Sequence, residues 1–264
     1  MSDLIARAYE TLDGWRAFGH EQLRSPRALL VRSRSTPNVY DANFAAQVRA
    51  ESPAEIDAFL DELERTFGGF EHRQVFSDPG LPAPCEARLI LEGFQSHNEE
   101  IVLVLEGALA SRGRVAEIRP VETEDDWQAL EVLHWEDHRE EVVKGFHEGW
   151  QRRVTTEIVA AKRSKAPGVR YFLARSEGVD CAFFSAWPGE NGVGKVEDLF
   201  TLNAFRGRGI ATALIAHCVD DARARGAGPL LICARTGDTP MHMYAKLGFR
   251  PLCVQRTLLR RLGG

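Results

Sequence analysis

The fold is decided by residues 196–226, VEDLFTLNAFRGRGIATALIAHCVDDARARG. A strand of alternating character gives way to a short turn and then to a long amphipathic helix. The first turn of that helix carries Arg206, Gly207, Arg208, Gly209, Ile210, Ala211 and Thr212. Glycines at a helix start let the backbone approach a ligand, and the unpaired N–H groups there, at the positive end of the helix dipole, form an anion site. Phosphate is the anion this predicts. A lone G-x-G helix start can equally be a tight turn, so the surrounding order of elements matters.

That order continues with Gly226, an apolar strand at 229–234, a short helix, and then Tyr244-Ala245-Lys246-Leu247-Gly248-Phe249. It resembles the GCN5-related N-acetyltransferase (GNAT) family. The family's first motif, R/Q-x-x-G-x-G/A, is matched by Arg206, Gly209 and Ala211; its second ends in Tyr-x-x-x-Gly-Phe, matched by Tyr244, Gly248 and Phe249. The resemblance implies an α+β fold with a mixed, mostly antiparallel central sheet flanked by helices. It also implies acetyl-CoA as cosubstrate, with the diphosphate on the N–H groups of 206–212. In the family the preceding strand bulges and bonds the pantetheine arm; here that segment is Leu199, Phe200, Thr201 and Leu202. The resemblance puts Leu202 nearest the thioester, with its N–H polarising the carbonyl.

The same resemblance gives Tyr244 the task of protonating the departing thiolate. A tyrosine of ordinary pKa about 10 stays protonated at neutral pH and can serve a thiol of about 8.5. Strand carboxylates often serve family members as the base that deprotonates the amine. Glu197 and Asp198 point to opposite faces of the strand, and Glu197 is the one expected to look into the cleft. Direct transfer leaves Cys181 and Cys233 no covalent part. The pattern departs from the family at Gly237, where many members place a cofactor-binding asparagine; Thr239 reads as a helix cap with Pro240 at the first helical position.

The N-terminal part repeats this order: strand, helix, strand, helix, Gly-Phe, strand. Ile56 and Ile210 lie 154 positions apart (210 − 56), and Phe94 and Phe249 lie 155 apart (249 − 94), so two copies register with a one-residue shift. Where Arg206 to Gly209 stand in the second copy, the first has Ser52, Pro53, Ala54 and Glu55, and Leu89 replaces Tyr244. A proline removes a donor and a glutamate repels phosphate. Residues 1–113 are therefore expected to form a degenerate GNAT-like domain, and 114–264 the catalytic one, with Gly107 to Arg114 as the connection.

Outward from these copies, residues 3–24 read as a helix or helix pair, 27–32 as a strand and 39–48 as another strand. Ser52 with Glu55 and Thr123 with Asp126 form capping boxes that open helices. Two helices follow the first strand of the second half and overhang the acceptor site in the family. The stretch holding His134, Trp135, His138, Phe146, His147 and Trp150 is thus where selectivity is expected, although apolar residues at helical spacing are mostly core.

Composition excludes several classes. A chain of 264 residues with 44% hydrophobic content can bury a core, and a net charge of −5 supplies no general basic surface for nucleic acid or anionic membrane. The five cysteines are scattered and form no C-x-x-C, which argues against a disulfide framework or zinc site and suits a reducing cytoplasm. No metal, signal peptide or membrane span is expected. The sequence thus points to acetyl transfer to a small-molecule amine or amino-acid derivative. A protein lysine or N-terminal acceptor, a non-turnover acyl-CoA sensor or assembly subunit, and an ATP or NAD binder remain alternatives, as does a homodimer.

Overall fold

The computed structural model describes residues 3–113, 117–143, 152–237 and 240–262. The first half runs α1 (Asp3–Ala17), β1 (Glu21–Arg24), β2 (Leu29–Arg32), a 3-10 turn (Tyr40–Ala42), β3 (Phe44–Ala46), α2 (Pro53–Phe67), β4 (His72–Ser77), α3 (Ala83–Leu91) and β5 (Gln95–Leu105). The second runs β6 (Glu117–Pro120), α4 (Glu124–Val143), α5 (Arg152–Lys165), β7 (Arg170–Ser176), β8 (Val179–Trp187) and β9 (Gly194–Thr201). After a 3-10 turn (Asn203–Phe205) come α6 (Ile210–Ala224), β10 (Leu230–Arg235), α7 (Pro240–Lys246) and β11 (Arg250–Arg261).

Local chemistry sets most of these boundaries. Both predicted capping boxes form: the Ser52 and Glu55 side chains satisfy each other's backbone N–H at the start of α2, and Thr123 and Asp126 do the same for α4. Two expectations are corrected. Residues 21–24 are not helical but form β1, an edge strand exposed along its whole length and so without an apolar period to reveal it. The strand read over 39–48 shrinks to β3, because the buried Asn43 side chain donates to the Thr36 and Val39 carbonyls and accepts from Ser33 N–H, holding a local turn. The strand start at Val115, the residues Phe146, His147 and Trp150, and the Thr239 cap lie outside the described residues.

The described strands form one sheet of eleven in the order β1-β2-β3-β4-β11-β5-β10-β9-β8-β7-β6. It is mostly antiparallel, with parallel pairing at β3·β4 and β9·β10. The repeat read from the sequence is visible here, since α2-β4-α3-β5 and α6-β10-α7-β11 occupy matching places around the β5·β11 pair. The two halves exchange their last strands. β5 lies between β10 and β11, and β11 runs on to pair with β4. Val102, Leu103, Val104 and Leu105 of β5 are buried, so the first half contributes core to the second. At about 1.5–3 kcal/mol for each such side chain, this exchange ties the halves together strongly.

α6 and α7 cover one face of the second half's sheet, over Leu103, Phe184, Val196 and Ile232. α4 and α5 cover the other, over Leu173, Phe183 and Phe200. Phe183 and Phe184 of β8 thus serve opposite layers, as strand alternation requires, whereas Val196 and Phe200 of β9, four residues apart, do so only because the strand is irregular between them.

Beneath α1, Asp13 is 2% exposed and accepts from Gln47 Nε2 at 3.2 Å. Burial pushes its carboxyl up to about 7, against the opposing pull of Arg16. A raised folded-state pKa stabilises below the unfolded value and loses that contribution as pH rises through the folded one. Asp13 should therefore make stability fall between about pH 4 and pH 7. Urea titrations at pH 5 and pH 8 should show Asp13→Asn flattening this fall; an equal fall in the variant would refute the assignment.

Candidate functional site

β9 organises the site because its two neighbours treat it differently. It pairs in parallel with β10 only through Gly194 and Lys195, opposite Leu230 and Leu231, and the two strands then part. Along β8 it stays paired as far as Thr201. Glu197 faces Ser185 and Phe200 faces Phe183, so Asp198 and Leu199 together oppose one residue and form the bulge that the resemblance implies. Asp198 sits at φ +67°, a conformation that aspartate tolerates better than most residues. Leu202 N–H donates to the Cys181 carbonyl at 2.9 Å. Its expected role on a thioester carbonyl is therefore corrected, since that donor is already used on β8. Alternation along the strand turns the Thr201 N–H, and two residues back that of Leu199, toward the edge that β10 leaves open.

At the mouth of α6, Gly207 and Gly209 adopt φ of +73° and +84°. Gly209 is the N-cap and has no side-chain cap. The first helical bond runs from Ala213 N–H to the Gly209 carbonyl, 3.1 Å, which leaves the N–H groups of Ile210, Ala211 and Thr212 outside the helical ladder. This is an anion nest built from backbone, and it fits a diphosphate. The two arginines are engaged. Arg206 donates to the Thr201 carbonyl at 2.8 Å and to Glu140 at 2.6 Å, while Arg208 pairs with Glu177 at 2.7 Å. Arg206 thus fastens the loop to β9 and α4.

The matching mouth in the first half is closed by its own chain. Glu55 Oε2 accepts from Ser52 N–H at 2.9 Å and Glu51 N–H at 3.3 Å, so a carboxylate already occupies the place of an anion. The connection between the halves also reaches α6. Ala110 N–H donates to the Leu247 carbonyl at 3.0 Å, and Arg112 pairs with Asp220 at 2.6 Å. Gly113 (φ +70°) lies so close that a Cβ there would come within 2.6 Å of Ala213 N and of the Gly209 carbonyl oxygen.

Tyr244 is buried on α7 and packs 6.2 Å, ring to ring, from Phe249. It shares an apolar cluster with Ile210, and the partly buried Leu199 and Leu202 pack against the same cluster. The structure therefore brings the two sequence motifs and the bulged strand to one place.

On the opposite face a cavity of about 1080 Å³ lies between the halves. Asp198 from the bulge and Arg235 and Thr236 from the end of β10 form the wall nearest the gap between the strands. The carboxylate expectation changes here. Asp198 faces the cavity, whereas Glu197 is not among the described residues lining it. Glu197 is paired with Lys195 at 2.6 Å, and Lys195 Nζ lies 4.0 Å over the Trp15 ring. Desolvation raises the Glu197 pKa, with Lys195 opposing. The Asp198 carboxylate forms an ion pair with Lys162; burial works to raise its pKa, but Lys162 and its neighbours outweigh this and hold it down to about 2. The bulge slips the strand by one residue, which is why Asp198 and not Glu197 reaches the cavity wall.

From α4, His134 packs at a tilt against Phe183, 4.1 Å between ring centres, with neither ring nitrogen hydrogen-bonded among the described residues, and burial holds it neutral. His138 shares a 2.8 Å hydrogen bond with Thr155. Among the described residues no group of His, Cys, Asp or Glu is arranged to hold a metal. Sequence reasoning missed Lys162, Lys165 and Tyr171, which also line the cavity. The available signal was a pair of lysines, three apart, closing an apolar helical stretch.

Residues 127–249 match the model of the acetyltransferase (GNAT) family. Among solved structures, the chain is similar to a GCN5-related N-acetyltransferase from Kribbella flavida, with 16% identity, TM-score 0.68, and 99% of this chain and 95% of that one covered. A putative GNAT-family acetyltransferase from Novosphingobium aromaticivorans gives 16% identity, TM-score 0.59, and 97% and 99% coverage. A tandem GNAT protein from the clavulanic acid biosynthesis pathway gives 15% identity, TM-score 0.59, and 99% and 94% coverage. These likenesses, spanning nearly the whole of each chain, show the tandem fold. No curated protein matches the chain.

Proposed function

We propose, from the premise that residues 127–249 belong to the acetyltransferase (GNAT) family, that this acyltransferase moves an acetyl group from acetyl-CoA to a primary amine of a small molecule. The observation that carries the reading is the uncapped backbone nest of Ile210, Ala211 and Thr212, on a helix beside two parting strands that lead to a half-open cavity. A cavity of about 1080 Å³ suits a small molecule better than a protein lysine on a chain surface. The self-capped mouth of α2 supports treating residues 1–113 as a half that takes no coenzyme A of its own. The scattered cysteines support a reducing, cytoplasmic setting.

Acetyl-CoA, when bound, supplies an activated acetyl thioester. The N–H groups of 210–212 would hold its diphosphate, with Gly207 and Gly209 keeping the approach clear. The Thr201 and Leu199 N–H groups would bond the pantetheine arm and donate toward the acyl oxygen as negative charge gathers there. Tyr244 would give its hydroxyl proton to the departing sulfur. Asp198, held ionised by Lys162, is too weak a base for an ammonium, and Glu197 is turned to Lys195. Water in the cavity would carry the amine's proton away.

The test is a panel of amines with acetyl-CoA, followed by thiol release. Acceptor-dependent release supports the reading. Tight coenzyme A binding with no release in any amine class would favour a sensor or assembly subunit instead.

A further inference from the structure

We propose that the acceptor amine also carries a carboxylate, and that Lys165, with Trp15 beside it and Tyr171 in the same cavity wall, receives that carboxylate in the cavity between the halves. The inference rests on the acetyl-transfer reading and names the class of its acceptor.

Five cationic side chains are buried in the described residues: Arg16, Arg73, Lys162, Lys165 and Lys195. Four have a carboxylate partner. Arg16 meets Glu100 at 3.4 Å, Arg73 meets Glu64 at 2.8 Å, Lys195 meets Glu197 at 2.6 Å, and Lys162 pairs with Asp198. Lys165, 6% exposed, has none among the described residues. Its Nζ donates to the Trp15 carbonyl at 2.9 Å and lies 4.2 Å over the Trp15 ring. A buried ammonium without a counter-anion is costly, and desolvation accordingly pulls the Lys165 pKa down to about 7, with Lys162 adding to the effect.

Carboxylates Asp41 and Asp198 share the cavity wall and act on Lys165 from a distance, but two orphan donors lie there as well. The Tyr171 hydroxyl (3% exposed) and the Trp15 indole N–H (6% exposed) are buried, line the cavity and find no hydrogen-bond partner among the described residues. Lysine and tryptophan can only donate, and a phenol donates readily, so the site asks for an acceptor. Lys165 is the one buried cation without a carboxylate partner among the described residues, and a bound carboxylate would favour its charged form. Lys165 stands three residues beyond Lys162 on α5, and Lys162 holds the Asp198 bulge. The carboxylate subsite is therefore about one helical turn, ~5 Å along α5, from the strand that delivers the acyl group. That spacing suits an amino acid or a compact derivative, with its carboxylate at Lys165 and its amine toward Asp198.

The test uses the full chain with pairs of acceptors, each an amino acid and the amine left when its carboxylate is removed. Wild type should favour the carboxylate-bearing members by about tenfold or more in kcat/KM, the scale set by truncating a buried charge pair. Lys165→Met should bring the ratio close to one, Tyr171→Phe should lower it less, and Lys165→Arg should keep part of it. A wild-type preference for the decarboxylated amines, or a preference that survives Lys165→Met, would overturn the proposal. If coenzyme A binds but no amine is acetylated, the acetyl-transfer reading fails on its own terms. Thermal shifts with N-acetyl-amino acids and N-acetyl-amines then decide this one. Stabilisation confined to the carboxylate series and lost in Lys165→Met supports it, and equal or absent stabilisation overturns it. Tyr171→Phe, which only removes a hydroxyl, keeps both measurements interpretable if Lys165→Met does not fold.

Discussion

Replacing Gly209 with glutamate should abolish coenzyme A binding, because it imposes on α6 the carboxylate that Glu55 already presents at the mouth of α2. Two unit charges about 4 Å apart repel by about 4 kcal/mol at an effective dielectric near 20, equivalent to almost three orders of magnitude in affinity. The backbone complicates the experiment, since Gly209 sits at φ +84°, where any side chain carries a cost of roughly 1–2 kcal/mol. Gly209→Ala isolates that cost. It should lower thermal stability as much as the glutamate does while weakening cofactor binding far less. Isothermal titration with coenzyme A on both variants makes the comparison. Equal affinities for alanine and glutamate would mean that the diphosphate does not meet this helix start.

Tyr244→Phe has the second large expected effect. Removing a proton donor from a leaving group typically costs 10²–10⁴-fold, so acetyl transfer at pH 7 should fall by at least about 100-fold with coenzyme A affinity unchanged. The defect should also depend on pH in a defined direction. A thiol of ordinary pKa about 8.5 leaves as a stable thiolate above that value and no longer needs an acid, so the gap between wild type and variant should narrow as pH rises past about 9. A gap that stays constant with pH would make Tyr244 a packing residue. Its buried place beside Phe249 and Ile210 makes that the competing account.

Much of the architecture could be read from the chain, for particular reasons. Capping boxes at Ser52 and Thr123 fix helix starts through chemistry that is local in sequence, and the offsets of Ile210 and Phe249 from Ile56 and Phe94 carry the repeat. β1 could not be read, since Glu-Gln-Leu-Arg is exposed throughout and pairs only through its backbone. The strand exchange was equally hidden. Nothing in Gln95 to Leu105 distinguishes pairing with its own half from insertion between β10 and β11, because both bury the same apolar face.

At the site, the glycine motif and Tyr244 were legible because they are contiguous signals. The bulge was anticipated, but its phase was not. A slip of one residue uses up Leu202 N–H on Cys181 and brings Asp198 rather than Glu197 to the cavity. Lys165, Trp15 and Tyr171 meet only because α1, α5 and β7 converge from positions more than a hundred residues apart in the case of Trp15 and Lys165, as their hydrogen bond records. No local pattern marks such a meeting.

The central claim is that one helix mouth grips the phosphorylated arm of the cosubstrate while its counterpart is closed. A crystal structure of the protein soaked with coenzyme A tests it most directly. We expect a single molecule, its diphosphate on the N–H groups of Ile210, Ala211 and Thr212 and its arm along Leu199 to Thr201. A diphosphate lodged at Ser52 on α2, or elsewhere in the chain with the mouth of α6 left bare, would contradict the account.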